Sequence, residues 1–329
     1  MKSTSLDPGF LSRGGDALVL QGEDIAGIGR ILDDMPFYEA YDLVCVCMRR
    51  AIDEGKAEDE IALLRELASR DAGKENITKH AALMQVVAAA LVELGDTDAA
   101  LAASADALRI LSGEPKRKDL PFICVLASLL YDLAFIHAER NEYSAAERTL
   151  GKAIKLFERL AKSDAERYAS AHVHALNAAT SVFRSRIKQM NLLAHYQVAT
   201  STYLSMAGSK APSAVYKLVE SLTNEASTLI KLGKTRDAVR YLTRALRYLT
   251  KLEPDFTMRQ LELSVMLGDA LLHTVATRQK GLHLLDTLLP KAKKMGADDM
   301  AERITALLDE RHSSMIDILS IWHKIFPRN

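Results

Sequence analysis

The sequence predicts an all-α protein, and three observations carry that expectation. The 329 residues include only 16 glycines and 8 prolines, well below average usage, so turn formers are too few for many short strands. From about Glu23 onward, apolar residues recur with the 3.6-residue period of helices, and no stretch alternates as a half-buried strand does. Hydrophobic residues make up 48% of the chain and charged residues 26%, the balance of a folded chain rather than a disordered one.

Residues 1–22, MKSTSLDPGFLSRGGDALVLQG, show no period and read as a loose leader. Asp, Pro, Arg and several Gly stand where a signal peptide would carry an unbroken apolar core. No segment reaches the ~18 consecutive apolar residues of a membrane helix, so no membrane partner is expected. Three cysteines are too few for a disulfide framework and suit a reducing compartment, which points to the cytoplasm.

Helical patterns then run over roughly 23–34, 36–53, 57–70, 76–94, 97–112, 120–140 and 143–162. They continue over 164–188, 190–207, 212–232, 235–252, 256–276, 278–295, 297–311 and 313–326. Pro121 and Pro212 suit first-turn positions, where a missing amide hydrogen costs nothing. Gly95 and Gly233 suit helix ends, where φ turns positive. The last pattern carries Ile316, Leu319, Trp322, Ile325 and Phe326. A terminal repeat needs a cover for its exposed apolar face, so 313–326 is expected to cap a single helical domain over 23–329. Self-association through that helix, or its folding back into the groove of the repeats, are the alternatives.

An internal repeat organises these helices. Gly95–Asp96–Thr97–Asp98–Ala99–Ala100, Asn141–Glu142–Tyr143–Ser144–Ala145–Ala146 and Gly233–Lys234–Thr235–Arg236–Asp237–Ala238 align at one and two periods of 46 residues. Ala88, Ala134 and Ala226 coincide upstream, and Ala107, Ala153 and Ala245 downstream. Two antiparallel helices joined by a tight turn approach closely, and small side chains permit it; Leu150 and Leu242 fill the space to the next pair. One pair cannot bury its own apolar face, so pairs must stack.

The segment Leu130–Ile154, with Leu133, Ala134, Asn141, Tyr143, Ala146, Leu150 and Ala153, resembles a tetratricopeptide repeat. Asn141 stands where that family has Gly, His137 where it has an aromatic, and the period is longer than the family's. The likeness holds over 84–108, 130–154 and 222–246. It weakens at 265–289, where Gly281 replaces the packing Ala, and fades at 176–200. The resemblance implies a right-handed α-solenoid of stacked antiparallel helix pairs whose first helices line a groove.

Carried over by register, that groove holds Gln85 and Glu93, then Tyr131, Phe135 and Glu139, then His174, Asn177, Ser181 and Arg184. Further along come Thr223, Ser227 and Lys231, then Met266, Ala270 and His273. Such a mixed surface suits an extended peptide or a partner helix. Asn177 and Arg184 are isolated, so the family's clamp for a chain-terminal carboxylate is not expected. On the second helices, Arg148, Lys152, Lys155, Arg159 and Lys162 form one basic stripe, and Arg236, Arg240, Arg244, Arg247 and Lys251 another. The resemblance places both stripes on the outer face.

Other chemistry finds little support. Cys45 and Cys47, like His172 and His174, lie two apart, and on a helix they point about 200° apart, which rules out a shared tetrahedral ion. Gly27 and Gly29 lack the third glycine and the preceding strand of a dinucleotide loop. No metal, cofactor or catalytic residue is therefore expected. With 43 basic and 43 acidic residues the net charge is zero, which argues against a dedicated nucleic-acid binder. The expectation is a non-enzymatic scaffold or adaptor that binds a protein or peptide partner in the groove. The alternatives are a regulatory sensor for a small ligand or peptide, and an acidic or nucleic-acid partner bound through the outer stripes.

Overall fold

A computed structural model describes residues 4–6, 10–11, 25–70, 76–113, 119–183, 186–207, 212–274 and 276–309. Among them are fourteen α-helices and no strand. The expected cap at 313–326 lies outside the described residues. Where a single domain was expected, the chain divides into two compact units, Met1–Lys188 and Gln189–Asn329.

The first unit holds α1 (Ile25–Asp34), α2 (Phe37–Asp53), α3 (Ala57–Ser69), α4 (Ile77–Leu94), α5 (Thr97–Ser112), α6 (Leu120–Glu139), α7 (Tyr143–Ser163) and α8 (Ala165–Val182). Consecutive helices pack as antiparallel pairs, and the first helices α2, α4 and α6 lie side by side as an inner layer. Asp96, Asp119 and Asp164 cap α5, α6 and α8 by accepting bonds from the backbone N–H three residues on.

The repeat alanines sit where the register puts them. Ala88, Ala134, Ala226, Ala100, Ala146 and Ala238 are all at most 1% exposed, and Leu150 and Leu242 are fully buried. The turns repeat as well. Gly95, Asn141 and Gly233 have φ of 86°, 62° and 75°. The next residue's N–H reaches back five residues in each case: Asp96 to Leu91, Glu142 to His137, Lys234 to Leu229. This is the left-handed helix stop with its 6→1 bond. Asn141 is the sole non-glycine among the described residues with positive φ; asparagine tolerates that region better than most residues, which is why it can stand for the missing Gly.

Two helices, α4 and α6, are long and apolar enough to cross a bilayer, although neither contains the unbroken apolar run sought in the sequence. They are instead central helices, with 78% and 61% of those windows buried inside the protein. The predicted helix over 164–188 stops earlier, because Phe183 adopts an extended conformation that ends α8; no Gly or Pro announces that break.

The second unit contains most of α9 (Arg186–Ala207), then α10 (Pro212–Lys231), α11 (Thr235–Leu252), α12 (Met258–Leu272), α13 (Arg278–Lys294) and α14 (298–309). Leu261, Val265 and Leu272 of α12 meet Leu285, Leu288 and Ala292 of α13 and Ala301, Ile304 and Leu308 of α14 in one core. So α14 covers the last described pair. Gly281 marks a closer crossing than alanine allows. A Cβ there would lie 2.9 Å from the Gly268 carbonyl oxygen and 3.1 Å from Leu271 Cβ.

Candidate interaction grooves

In the first unit, the inner layer is closed by direct contact between α2 and α8. Arg167 Nη2 donates to Asp42 Oδ2 at 2.6 Å, and Tyr168 OH donates to Tyr38 OH at 2.6 Å. The Arg167 guanidinium also lies 4.2 Å over the Tyr38 ring. Burial among these groups pushes the Cys124 thiol up to about 12, so it is an uncharged packing group at neutral pH.

The groove so enclosed is filled by the chain's own leading residues. At its described positions the loose leader is corrected: Thr4, Ser5, Leu6, Phe10 and Leu11 are all buried. Two anchors hold them. The first is polar. Ser5 donates its backbone N–H to Asp132 Oδ1 at 2.8 Å and its hydroxyl to Asp132 Oδ2 at 2.5 Å. Gln85 Nε2 donates to Ser5 Oγ at 2.6 Å and to Asp132 Oδ2 at 2.9 Å, while Tyr41 OH donates to Gln85 Oε1 at 2.6 Å. Beside this, Thr4 donates to Glu93, which is itself gripped by Arg49 through two bonds of 2.6 and 2.7 Å. The second anchor is aromatic. The Phe10 ring lies 4.7 Å from Tyr131, 5.4 Å edge-on from Phe157 and 5.7 Å from His174, centroid to centroid.

The register thus brings Gln85, Glu93, Tyr131 and His174 together around one segment. Phe135 packs against Tyr131 at 5.1 Å. Glu139, a turn further on α6, is exposed, and Asn177 on α8 is half-buried. Gln85 and Tyr131, expected as open groove liners, are 0% and 1% exposed because the segment covers them. Ser181 lies on α8, but its side chain, like Arg184, is outside what is described. Sequence reasoning missed Asp132, Tyr41, Arg49 and Phe157. A signal existed for Asp132: it is the lone acid in the apolar stretch LPFICVLASLLYDLAFIHA. Burial raises its carboxyl to about 7, against the pull of the Ser5 and Gln85 donors.

The second unit carries a groove of its own, of about 590 Å³, between α10 and α12 with Leu249 of α11. Thr223 and Met266, predicted from the register, line it beside Tyr216, Lys217, Glu220, Arg259 and Glu262. Tyr216 donates to Glu253 at 2.7 Å, and the Arg259 guanidinium lies 4.7 Å over the Tyr216 ring. Lys231, at the end of α10, is exposed.

The basic stripes face away from the helix seams. Arg148, Lys152, Lys155 and Arg159 are exposed on α7, opposite buried Ala146, Leu150, Ala153 and Phe157. On α11, Arg236, Arg240 and Arg247 are exposed, while Arg244 is half-buried with its guanidinium 6.0 Å from the Tyr241 ring.

Stacked antiparallel pairs, repeated left-handed turns and small residues at each crossing define a helical-repeat protein. No protein-family model matches the chain, and no curated protein does either. A solved structure shares the fold, and others are similar to a lesser degree. A signal-transduction ATPase of Pyrococcus horikoshii with a tetratricopeptide repeat sensor superposes with a TM-score of 0.56 at 15% identity. The match covers 90% of this chain and 41% of that one. BtubC from P. vanneervenii gives a TM-score of 0.46 at 16% identity, over 82% of this chain and 92% of that one. The RpL4 assembly chaperone Acl4 gives 0.48 at 16% identity, over 84% and 99%.

Proposed function

We propose that this protein is a non-enzymatic interaction scaffold of the tetratricopeptide type, holding a segment of a partner protein against its first helices. One observation carries this reading. The inner layer of the first unit already holds a stretch of polypeptide, with a carboxylate matched to its donors and three rings matched to its phenylalanine. A groove that recognises chain in this way does with side chains what peptide-binding grooves generally do. The chain spans 41% of the Pyrococcus protein, whose repeats are a sensor; a sensor reading of this chain draws on the open groove of the second unit, whose volume suits a small ligand.

The test uses a partner recovered with the wild-type chain. It is titrated against His174→Ala/Asn177→Ala and against Arg240→Glu/Arg244→Glu, at two salt concentrations. The groove variant is expected to weaken binding by about 1–3 kcal/mol per lost contact, and the charge reversals to leave it unchanged. The opposite pattern, with a steep loss of affinity in salt, would place the function on the basic outer stripes.

A further inference from the structure

The leading segment has the chemistry of a ligand rather than of a core strand. Within the pairs α4–α5 and α6–α7 the helix seams are closed by Ala and Leu, as at Ala88, Ala100, Ala134, Ala146 and Leu150, while the α2–α8 contact uses a part-buried ion pair, Arg167 with Asp42. Where the segment lies, the receptor surface instead presents a fully buried carboxylate and a fully buried amide, Asp132 and Gln85. Burying such groups costs more than burying alkyl groups of the same size. A seam built only to stay shut gains nothing from that cost. A surface that exchanges occupants gains selectivity, and its polar groups can be rehydrated when it empties.

The polar anchor is also demanding. Asp132 takes both donors of one residue, the backbone N–H and the hydroxyl of Ser5. Proline cannot supply the first and an aliphatic residue cannot supply the second. An acidic or phosphorylated residue would set its charge against Glu93 and, once it ionises, against Asp132. Five residues further on, the ring of Phe10 fills a site walled by Tyr131, Phe157 and His174.

We infer that the leading segment is an internal ligand of this groove, and that the partner segment presents the same pattern: a serine or threonine followed five residues later by an aromatic ring, displacing Ser5 and Phe10. This rests on the groove reading above and adds the identity of the competitor. A tethered ligand acts at an effective concentration on the order of millimolar, so the free protein resists weak partners and yields to those that match both anchors.

The probe is a fluorescent peptide of residues 1–14, followed by anisotropy on the full chain. The S5A/F10A chain is expected to bind it at least roughly tenfold more tightly than wild type. A peptide with both anchors replaced by alanine is expected to bind neither. A second chain carries a protease site at residues 15–21 and is cut after folding, so that its own segment is held only by contacts. On dilution it is expected to keep its helicity, lose its segment and admit the labelled peptide. A folded S5A/F10A chain that ignores the peptide would overturn the inference. So would a cut chain that unfolds or never exchanges. Wild-type dimers that dissociate on the S5A/F10A change would overturn it in favour of segments exchanged between copies. If the peptide fails while His174→Ala/Asn177→Ala still weakens partner binding, the internal ligand falls and the groove reading stands; failure of both readouts removes both.

Discussion

Asp132 shows how much one residue can hold. Its carboxylate accepts from Ser5 twice and from Gln85 once, yet burial outweighs these donors and raises its pKa to about 7. Glu93 adds to the rise through its charge. Between about pH 4 and 7 the folded chain therefore keeps a proton that the unfolded chain has released. Stability falls as pH rises through that window and levels off above it. An asparagine side chain mimics the protonated acid, so Asp132→Asn should flatten this part of the profile. Urea titrations at pH 5 and pH 8 check it: wild type is expected to be less stable at pH 8, with a much smaller difference in the variant. An equal loss in both would assign the pH dependence to other groups. A single acid in an apolar helix was visible in the sequence, but its partner Ser5 lies 127 residues away. No local pattern connects the two, and a segment anchored at Ser5 and Phe10 is too short to show a period.

At the scale of elements, the helix pairs were legible because their geometry is local. A close crossing demands a small residue at a fixed distance from the turn, and Ala100, Ala146 and Ala238 announce it three times. Ala146 is fully buried while its neighbour Ala145 is only partly so. Ala146→Leu should overpack the α6–α7 crossing and cost roughly 1–3 kcal/mol; Ala145→Leu should cost much less. Equal costs in thermal denaturation would mean that the crossing does not run through Ala146. The end of α8 was not legible, since Phe183 leaves the helix without a proline or glycine to force it. The copy at 265–289 is weak for a different reason. Gly281 departs from the repeat pattern because its crossing is tighter than the others, with the Gly268 carbonyl where a methyl group would go.

The whole molecule is two units, each with its own core and its own groove. The sequence shows a nearly continuous run of helices and no change of composition near Lys188, so the division was hidden. Gly281→Ala probes it. The added methyl should destabilise the second unit by roughly 1–3 kcal/mol. In scanning calorimetry it is expected to lower one transition and leave that of the first unit in place. A single transition that shifts as a whole would mean that the units unfold together. The docking of the leading segment has one more consequence, which concerns time. Ser5 is synthesised 127 residues before Asp132. At about 5–20 residues per second, that is an interval of roughly 6–25 seconds. Through that interval Leu6, Phe10 and Leu11 have left the site of synthesis while their receptor does not yet exist. The segment's apolar side chains therefore stay uncovered until the helix that carries Asp132 and Tyr131 has been made.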